Sequence, residues 1–433
     1  MKRLLVLGAG TAGTMAVNRL RRRLPRHEWA ITVVDQSDTH YYQPGFLFIP
    51  FGKYRPGEVT RPRRRFIPHG VDLITGEIDR VIAEDATVRL VDGTELPYDY
   101  LVIATGTTPR PAETPGMSGP EWGRSIHEFY TYPGAVALRE RLKTWPGGRL
   151  VVQTVEMPIK CPVAPLEFTF LADAFFTDRG MRDRVEITYV TPLEGAFTKP
   201  VASRHLGGML AERGITLEPD FLTERIDPET RTLVSFDERE IPFDLLVTVP
   251  VNMGADYVAR SGLGDELNYV PVDPETLLSR QHDTIFAIGD ASDIPTSKAG
   301  SVAHFSMEAF TDNFLRHVQG QPMTRRFDGH ANCFIETGHG KGMMIDFNYT
   351  TEPLTGTYPL PRVGPFRLLA ETPRNHWGKL AFRWIYWHVL LPGRRMPLPA
   401  AMSMTGKHPE PTSSGPDTSH RAGRPQTTTA PKE

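Results

Sequence analysis

The sequence predicts an α/β protein, and three observations support this fold class. The segment Gly8–Gly13 follows a short apolar strand and opens a helix. A second strand–helix pattern starts at Arg149–Thr154, and an apolar strand at Thr284–Asp290 comes long after it. Alternating strands and helices of this kind form parallel sheets covered by helices. We therefore predict two Rossmann-like units, the second inserted in the first, followed by a C-terminal region that associates with a membrane surface.

The first unit has the features of a dinucleotide site. Residues 4–7 predict a buried strand, and Gly8, Gly10 and Gly13 allow a tight turn into a helix that runs to about residue 23. The N-terminus of that helix faces a pyrophosphate in such units. The next strand ends in Asp35, where a carboxylate accepts hydrogen bonds from an adenosine ribose. Strand, glycines, helix, strand and acid in this order predict an FAD-binding site.

Two later motifs resemble those of flavoproteins with two dinucleotide-binding domains. One strand ends in Thr105 and Gly106, and another ends in Gly289 and Asp290. In that superfamily the aspartate holds the ribityl chain of FAD, whereas an ordinary strand exit is the alternative for Gly289-Asp290 taken alone. The helix predicted after Lys298 would direct its N-terminus at the flavin. Lys298 would either add a positive charge there or lie in a solvated loop.

The corresponding turn of the second unit lacks the glycines of a dinucleotide site. After the strand at 149–154 the chain runs through 156–165, where three prolines, Ile159 and Lys160 replace them. Glycines are needed at this point for the backbone to approach pyrophosphate. Cys161 stands in the turn instead. The sequence therefore predicts that NADH is not the electron donor and that a thiol has taken the place of its site.

The overall composition excludes several classes of function. Basic and acidic residues nearly balance, with a net charge of −2, so there is no global basic field of the nucleic-acid-binding kind. The arginine clusters at 21–23 and 61–65 are interpreted as solvated faces rather than phosphate or lipid patches. No apolar stretch is long enough to span a membrane, and residues 1–8 lack the pattern of a signal peptide. Two cysteines in 433 residues make no disulfide framework, and burial is the default for each.

The residues around the cysteines resemble a known family. The segments concerned are Cys161-Pro-Val-Ala-Pro-Leu-Glu-Phe168, the strand at 187–192 and Asn332-Cys333-Phe334. They are similar to the sulfide:quinone oxidoreductases, and the resemblance covers roughly residues 1–400. It implies that Cys161 and Cys333 flank the flavin ring and form a disulfide or polysulfur bridge that sulfide attacks. It also implies oxidation of hydrosulfide to zero-valent sulfur or polysulfide, with reduction of a membrane quinone. Thiol–disulfide exchange fits this chemistry, since hydrosulfide would leave one cysteine as a persulfide and the other as a thiolate.

The same resemblance suggests roles for nearby residues. Glu167 matches a glutamate of the family and is the candidate general base, while the alternative is an exposed acid that favours the helix dipole. Lys160 or the following helix N-terminus would stabilise a thiolate. Some members of the family use a third cysteine, which this chain lacks, so FAD is predicted to have no covalent link through such a residue. For His127 and His304, surface or core roles are favoured over proton transfer.

Residues 375–395 predict an amphipathic helix. Its apolar and aromatic positions recur at helical spacing and are Trp377, Leu380, Ala381, Trp384, Ile385, His388 and Leu391. Tryptophan favours the headgroup region of a membrane, and the basic residues around it, Lys379 among them, favour anionic lipid. A helix packed on the protein's own core would look similar, and we favour the membrane surface because the expected acceptor is a lipid quinone. Phe334, Phe347 and Phe366 are candidates for the wall of a quinone channel, with core packing as the alternative.

These predictions divide the chain into five parts. They are an FAD-binding part at 1–110, the second unit at 111–245, the rest of the FAD-binding part at 246–325, a quinone and membrane region at 326–402 and a disordered tail at 403–433. We expect a peripheral protein of the cytoplasmic membrane without a signal peptide, with sulfide and quinone as partners and a homo-oligomer left open. No metal is expected, because His330 and His339 lack the partners and spacing for one. The alternatives are a type II NADH:quinone oxidoreductase, a sulfide-oxidising flavoprotein coupled to a cytochrome, and a flavin-based redox sensor without turnover.

Overall fold

The first of two parallel sheets forms the N-terminal unit of the computed structural model, which describes residues 1–394, 396 and 399–408. Its strands, in spatial order, are β20 (Ile285–Ala287), β9 (Tyr100–Ile103), β1 (Lys2–Leu7), β2 (Trp29–Asp35) and β5 (Asp72–Thr75). The helices α1 (Thr11–Arg21) and α6 (Gly300–His317) belong to this unit and pack against each other. Residues 4–7 of β1 are buried, as expected for a parallel strand that is covered on both faces.

The second parallel sheet is inserted between β9 and β20. Its strands, in spatial order, are β11 (Ile126–His127), β18 (Leu245–Val249), β12 (Gly148–Thr154), β13 (Val185–Val190) and β14 (Thr216–Glu218). Its helices are α2 (Tyr132–Thr144), α3 (Ala164–Asp178) and α4 (Pro200–Glu212). The predicted insertion is therefore present. The predicted boundary at residue 245 cuts through β18, which is buried because it pairs with both β11 and β12.

Smaller antiparallel sheets lie outside the two parallel sheets. One three-stranded sheet is formed by β6 (Ile78–Ile82), β7 (Thr87–Leu90) and β8 (Glu95–Pro97), and the other by β15 (Thr223–Asp227), β16 (Thr232–Ser235) and β17 (Glu240–Pro242). The two-stranded ladders pair β3 (Thr39–Tyr41) with β4 (Thr60–Pro62) and β10 (Thr108–Pro109) with β19 (Asn252–Met253). The short helix α5 (Asp256–Arg260) packs on β6. Single 3-10 turns, among them Gln43–Phe48, Pro56–Val59 and Arg63–Phe66, surround β4.

The C-terminal region forms a mixed sheet covered by a helix. The strands, in spatial order, are β21 (Ala331–Gly338), β22 (Lys341–Phe347), β24 (Gly364–Leu368), β23 (Thr355–Leu360) and β25 (Lys407–His408). Helix α7 (Pro373–Ile385) packs on β21 and β22 and continues through a π-helical turn at Tyr386–Leu390. The helix predicted at 375–395 thus begins slightly earlier and ends sooner.

The start of the predicted disordered tail is ordered. Strand β25 pairs with β23, and the ammonium of Lys407 is buried against the carboxylate of Asp346 and donates to the carbonyl of Ser403. The boundary at 403 is therefore wrong for residues 403–408, because one lysine with a buried partner anchors a segment that has few apolar side chains. Residues 409–433 of the predicted tail lie outside the described residues.

A shared hydrophobic core joins both units and the C-terminal region. Its members include Val6 of β1, Leu166 of α3, Ile335 of β21 and Tyr386 after α7, while a smaller second cluster lies within the inserted unit. This continuity places β21 and α7 against the inserted unit, which matters for the site described below. Among the described residues, no helix has both the length and the apolar character needed to cross a membrane.

Candidate active site

The turn between β1 and α1 is shaped by its glycines. Gly8 has a φ of +94°, and a Cβ there would lie 2.5 Å from the carbonyl oxygen of Ala104. A Cβ on Gly13 would lie 1.9 Å from the carbonyl oxygen of Gly8, so no side chain fits between helix and strand. At Gly10, by contrast, a Cβ would meet no atom of the described structure within 4 Å apart from its immediate neighbours. The space beside Gly10 at the N-terminus of α1 is therefore open, which fits a bound pyrophosphate.

Asp35, at the end of β2, is held by the glycine turn and by an arginine. Its Oδ2 accepts a hydrogen bond from the N–H of Ala9 at 2.7 Å and pairs with Arg63 at 2.8 Å. Arg63 also donates to the carbonyls of Ser37 and Thr39, at 2.7 and 2.8 Å. The interpretation of residues 61–65 as a solvated face is therefore wrong for Arg63, which is buried because its guanidinium neutralises Asp35 and ties β3 and its neighbours to the turn.

The Thr105-Gly106 motif lies directly beside Gly8. A Cβ on Gly8 would come within 2.9 Å of the Cα of Thr105, and the hydroxyl of Thr105 is 3.1 Å from that of Tyr257. Gly106 has a φ of +69°, which favours glycine. These residues follow β9 at the edge of the sheet where β1 and β2 also end, the edge at which open parallel sheets bind ligands.

Strand β20 brings Gly289 and Asp290 to the same edge. Gly289 has a φ of +63°, and a Cβ there would lie 2.9 Å from that of Ala12 in the first turn of α1. Burial raises the pKa of the Asp290 carboxyl, while the positive charges of Lys298 and Lys160 lower it by less. The residues predicted to hold FAD therefore lie at one edge of the sheet. The open space at Gly10 is the feature of this structure that FAD fits.

Lys298 is buried rather than solvated. Its Nζ donates to the carbonyls of Asp290 at 3.2 Å and Ser292 at 2.8 Å, and it lies 3.6 Å from the ring centroid of Tyr269. Burial lowers its pKa to about 8. The alternative of a solvated loop lysine is therefore wrong, because the ammonium is enclosed by carbonyl groups and an aromatic ring at the start of α6.

Cys161 occupies the turn between β12 and α3 in a left-handed conformation. Its φ is +51°, which for a residue with a Cβ costs about 1–2 kcal/mol. The surroundings fix this conformation. The N–H of Cys161 donates to the carbonyl of Lys298 at 2.6 Å, and its own carbonyl accepts from the N–H of Ala164 at 2.9 Å and the hydroxyl of Tyr130 at 3.1 Å. Strain that the surroundings maintain in this way is typical of functional sites.

The second cysteine, Cys333 on β21, lies within electrostatic range of Cys161. Both are half-buried free thiols. Burial raises the pKa of the Cys161 thiol to about 12, and the negative charge of Glu167 adds to the effect. Burial also raises the pKa of Cys333, and a charge on Cys161 raises it further. The fold therefore brings together two thiols that their positions in the sequence could not place.

A buried ion pair between Glu167 and Lys379 stands beside the thiols. Oε1 of Glu167, in the first turn of α3, accepts hydrogen bonds from Nζ of Lys379 and from the N–H of Glu336, the latter at 2.7 Å. Lys379, on α7, also donates to the carbonyl of Phe334 at 2.9 Å. The alternative of Glu167 as an exposed acid is therefore wrong, and so is the expectation that Lys379 faces lipid. Both side chains point inward because β21 packs against both α3 and α7.

The ion pair tunes the protonation of its neighbours. Burial raises the pKa of Glu167, and Lys379 offsets part of this rise. Burial lowers the pKa of Lys379, but the negative charges of Glu167, Cys161 and Glu336 outweigh it and leave a net rise. Lys379 in turn lowers the pKa of both cysteines. Oε2 of Glu167 is buried and has no hydrogen-bond partner among the described residues, so it is free to hold a proton.

Lys160, one of the two predicted partners of a thiolate, has a smaller effect than Lys379. Its Nζ donates to Oε1 of Gln43 at 3.0 Å, and its charge interacts more strongly with Asp290 and Glu128 than with Cys161. The other predicted source, the N-terminus of α3, does act on the thiol, because the N–H of Ala164 lowers the pKa of Cys161.

Aromatic rings border the site on the side of α7. The ring centroids of Phe334 and Phe366 are 5.0 Å apart in an edge-to-face arrangement. A Cβ on Gly378 would lie 2.5 Å from the ring of Phe366 and 2.9 Å from that of Phe334, so α7 rests closely on this pair. Phe347, in contrast, is buried in the core and follows the core alternative.

One histidine that the sequence did not single out, His376, is linked to the buried ion pair through Glu336. Nδ1 of His376 lies 2.9 Å from the carboxylate of Glu336, whose N–H bonds Glu167. His127 and His304 are buried elsewhere and follow the core alternative, with burial lowering the pKa of His304 to about 4. A signal for His376 and Lys379 was available, since they are three residues apart and share one face of a largely aromatic helix. Within the described ranges, no group of His, Cys, Asp and Glu could hold a metal ion.

The outward face of α7 carries large apolar side chains. Trp377 and Trp384 are 67% and 61% exposed, and the ring of Trp384 stacks on that of His388 with centroids 4.8 Å apart. The hairpin between β23 and β24 also exposes apolar residues, Leu360 and Val363. Of the seven positions predicted as the apolar face, four are exposed, whereas Leu380 and Ile385 pack against the core and Leu391 is buried.

Comparisons with known proteins agree with this architecture. A model of the pyridine nucleotide-disulphide oxidoreductase family matches residues 2–152. The mitochondrial sulfide:quinone oxidoreductase of Mus musculus is 24% identical over 408 residues, which cover 90% of this chain and 86% of that protein. That of Dictyostelium discoideum is 25% identical over 356 residues, 81% and 78% of the two chains. The X-ray structure of the sulfide:quinone oxidoreductase from Aquifex aeolicus matches with a TM-score of 0.77 at 19% identity and covers 91% of this chain and 92% of that one. The resemblance inferred from the cysteine segments is thus confirmed over most of the chain.

Proposed function

We propose that this chain is an FAD-dependent sulfide:quinone oxidoreductase. It oxidises hydrosulfide to zero-valent sulfur or polysulfide at Cys161 and Cys333 and reduces a membrane quinone. The observation that carries the proposal is that Cys333, on β21, lies within electrostatic range of Cys161, beside a buried Glu167–Lys379 pair, and that Cys161 stands in the turn where a second dinucleotide would otherwise bind. The curated relatives of similar length carry the same name, which supports the assignment.

The cysteines perform the first bond change. Hydrosulfide attacks a disulfide between Cys161 and Cys333. A new S–S bond to the incoming sulfur forms as the old one breaks, so one cysteine becomes a persulfide and the other leaves as a thiolate. Both thiols have raised pKa values, so the leaving thiolate needs a nearby positive charge. Lys379 supplies that charge, and the N–H of Ala164 adds to it at Cys161.

Glu167 is the group that moves a proton in this site. Its pKa is raised by burial, and its Oε2 has no other described partner. It therefore has a free oxygen that can take the proton of the incoming sulfur species and release it later. We keep the role of general base for Glu167 and assign to Lys379 the stabilisation of the thiolate.

The residues at the edge of the first sheet would hold FAD without a covalent bond through any third cysteine. The open space at Gly10, in the turn shaped by Gly8 and Gly13, would receive the pyrophosphate, Asp35 would bind the ribose, and Asp290 would bind the ribityl chain. When bound, FAD supplies a two-electron acceptor that links the thiol chemistry to a quinone.

The quinone would approach from the membrane side of α7. Phe334 and Phe366 offer an apolar wall next to the strand that carries Cys333. The exposed Trp377 and Trp384 suit the headgroup layer of a bilayer, so the protein would lie on the membrane surface. Peripheral attachment to the cytoplasmic membrane is part of this proposal.

The test is anaerobic stopped-flow spectroscopy of the flavin-loaded protein, with sulfide and NADH added separately. We expect sulfide alone to bleach the flavin absorbance and a quinone to restore it. Bleaching by NADH but not by sulfide would overturn the proposal in favour of an NADH:quinone oxidoreductase. A cysteine-dependent change in partner binding without turnover would favour a redox sensor.

A further inference from the structure

A basic cavity lies apart from the thiol site, between the 3-10 turn at Arg63–Phe66 and the end of the α7 region. It encloses about 320 Å³, which falls within the range of about 300–1,000 Å³ that is typical of small-ligand sites. Its lining residues are Arg61, Arg65, Phe66, Trp387, His388, Pro392 and Arg394. Three arginines and no carboxylate face this volume, so it is built to receive an anion.

The charge of these arginines is not neutralised by the protein. Arg65 and Arg394 are exposed, and among the described residues neither is paired with a carboxylate. Arg61 donates only to backbone carbonyls and lies 5.5 Å from the ring centroid of Trp387. Nearby arginines differ, since Arg63 pairs with Asp35 and Arg383 pairs with Glu58. The cavity therefore carries positive charge that no described carboxylate compensates.

The cavity is separate from the FAD cradle. Nδ2 of Asn18, in the second half of α1, donates to the carbonyl of Phe66 at 2.7 Å. Arg22, just after the same helix, donates to the carbonyl of Gly393 at 3.1 Å. The segments that line the cavity are thus hydrogen-bonded to the C-terminal end of α1, whereas the space for the pyrophosphate is at the N-terminus of that helix.

The cavity adjoins the outward face of α7. His388 lines the cavity and stacks on the exposed Trp384, their rings inclined by only 13°. An anion held by the arginines would therefore sit at the edge of the surface that carries the exposed tryptophans. Trp387 and Phe66 stack with centroids 5.2 Å apart and give the cavity an apolar wall.

We propose that this cavity binds the headgroup phosphate of an anionic phospholipid, with Arg61, Arg65 and Arg394 as its ligands. Guanidinium groups match phosphate oxygens in pairs, and the Trp387–Phe66 wall suits the glycerol part of the lipid. The site orients the molecule on the bilayer, with α7 in the headgroup layer. This inference rests on the membrane attachment included in the proposed function.

The experiment measures binding of the flavin-loaded full chain to vesicles of phosphatidylcholine, with and without phosphatidylglycerol, by co-sedimentation. The test variant is Arg65→Gln/Arg394→Gln. The matched control is Arg23→Gln/Arg64→Gln, which removes the same charge from exposed arginines near the cavity that do not line it. We expect affinity for anionic vesicles to fall by on the order of tenfold in the test variant and clearly less in the control.

Three outcomes would overturn the inference. Equal losses in both double variants would show that general surface charge, not the cavity, attracts the membrane. Undiminished binding by the test variant would exclude Arg65 and Arg394 as ligands and overturn the inference. Competition by inorganic phosphate as effective as that by phosphatidylglycerol would identify a site for a free phosphate rather than a lipid.

A separate measurement distinguishes this inference from the proposed function. Flavin bleaching by sulfide, and turnover with a water-soluble short-chain quinone, need no membrane. We expect both to be unchanged in Arg65→Gln/Arg394→Gln. If sulfide does not bleach the flavin of the wild-type protein, the proposed function is wrong. The vesicle comparison still decides whether the cavity binds anionic lipid.

Discussion

The turns β1–α1 and β12–α3 occupy equivalent places in the two parallel units, yet they have opposite chemistry. In the first, Gly10 leaves open space at the N-terminus of a helix. In the second, Cys161 is held at a positive φ by hydrogen bonds to Lys298, Ala164 and Tyr130. The first turn is suited to a phosphate group and the second to a reacting sulfur atom.

The difference shows how one topology serves two purposes. The first turn needs only residues of its own segment and nearby strands, because backbone N–H groups provide the binding. The second turn needs side chains from elsewhere, since Cys333 comes from β21 and Lys379 from α7. A thiol site is assembled by packing, whereas a phosphate cradle is assembled by local sequence.

Removing either thiol should produce the largest effect. It should separate the functions of the two turns, because the sulfide reaction is lost while FAD binding remains. In Cys161→Ser and Cys333→Ser we expect bleaching of the flavin by sulfide to slow by more than about a thousandfold, because the reacting sulfur is lost. FAD content should stay at the wild-type level, since the glycine turn is untouched. The measurements are anaerobic stopped-flow absorbance and the ratio of flavin to protein, with reduction by dithionite as the control. Normal bleaching in either variant would exclude the disulfide mechanism.

Filling the first turn should have the next largest effect and leave the thiols intact. Gly10→Val places a side chain in open space at a φ of −73°, so we expect a folded protein whose FAD affinity is lower by about 10- to 100-fold. Gly57→Val is the matched control, because it also meets open space but lies far from the motif in sequence. Flavin fluorescence and thermal unfolding measure the two properties. Full FAD occupancy in Gly10→Val would show that the cradle does not bind pyrophosphate.

Lys379→Met tests whether the second turn depends on a charge from α7. Lys379 lowers the pKa of both cysteines, so its loss raises those values and makes the thiolate harder to form. We expect the acid limb of the pH–rate profile for flavin bleaching to move up by about 1–3 pH units. Arg383→Met is the matched control, since it removes a charge from the same helix that pairs with Glu58 instead.

Glu167→Gln should shift the pH–rate profile for flavin bleaching in the opposite direction. The negative charge of Glu167 raises the pKa of Cys161, so its removal should move the acid limb to lower pH. A shift of both variants in the same direction would be incompatible with this electrostatic account. A lower maximal rate in Glu167→Gln, in addition to the shift, is expected from its role as general base.

The smallest predicted effect concerns acid stability around the first turn. His304 lies on α6, which packs on α1, and burial lowers its pKa from 6.5 to about 4. At a pH between these two pKa values, the unfolded chain therefore binds a proton at His304 and the folded chain does not. Stability contributed by the neutral histidine is complete above pH 6.5 and is lost as the pH falls towards 4, by up to about 3 kcal/mol. We expect His304→Gln to reduce this loss in denaturant titrations at neutral and acid pH, whereas the exposed His27→Gln should leave it unchanged.

The predictions from sequence that succeeded concern contiguous patterns. The insertion of one unit in the other follows from the order of apolar strands, and the resemblance of the cysteine segments is confirmed by relatives over most of the chain. Two of the predictions that failed concern charged residues. Arg63 was interpreted as solvated and Lys379 as lipid-facing, but both are turned inward by carboxylates, Asp35 and Glu167, that are distant in the sequence.

By itself the sequence determined that the first turn can receive a phosphate and that the second cannot, because glycine and proline act on the backbone where they stand. Only the tertiary structure decided which side chains serve the thiols. Cys333, Lys379 and His376 reach the site because β21 and α7 share a hydrophobic core with α3. Burial of that core fixes distances between residues far apart in the chain, and charges at those distances set the pKa values on which the chemistry depends.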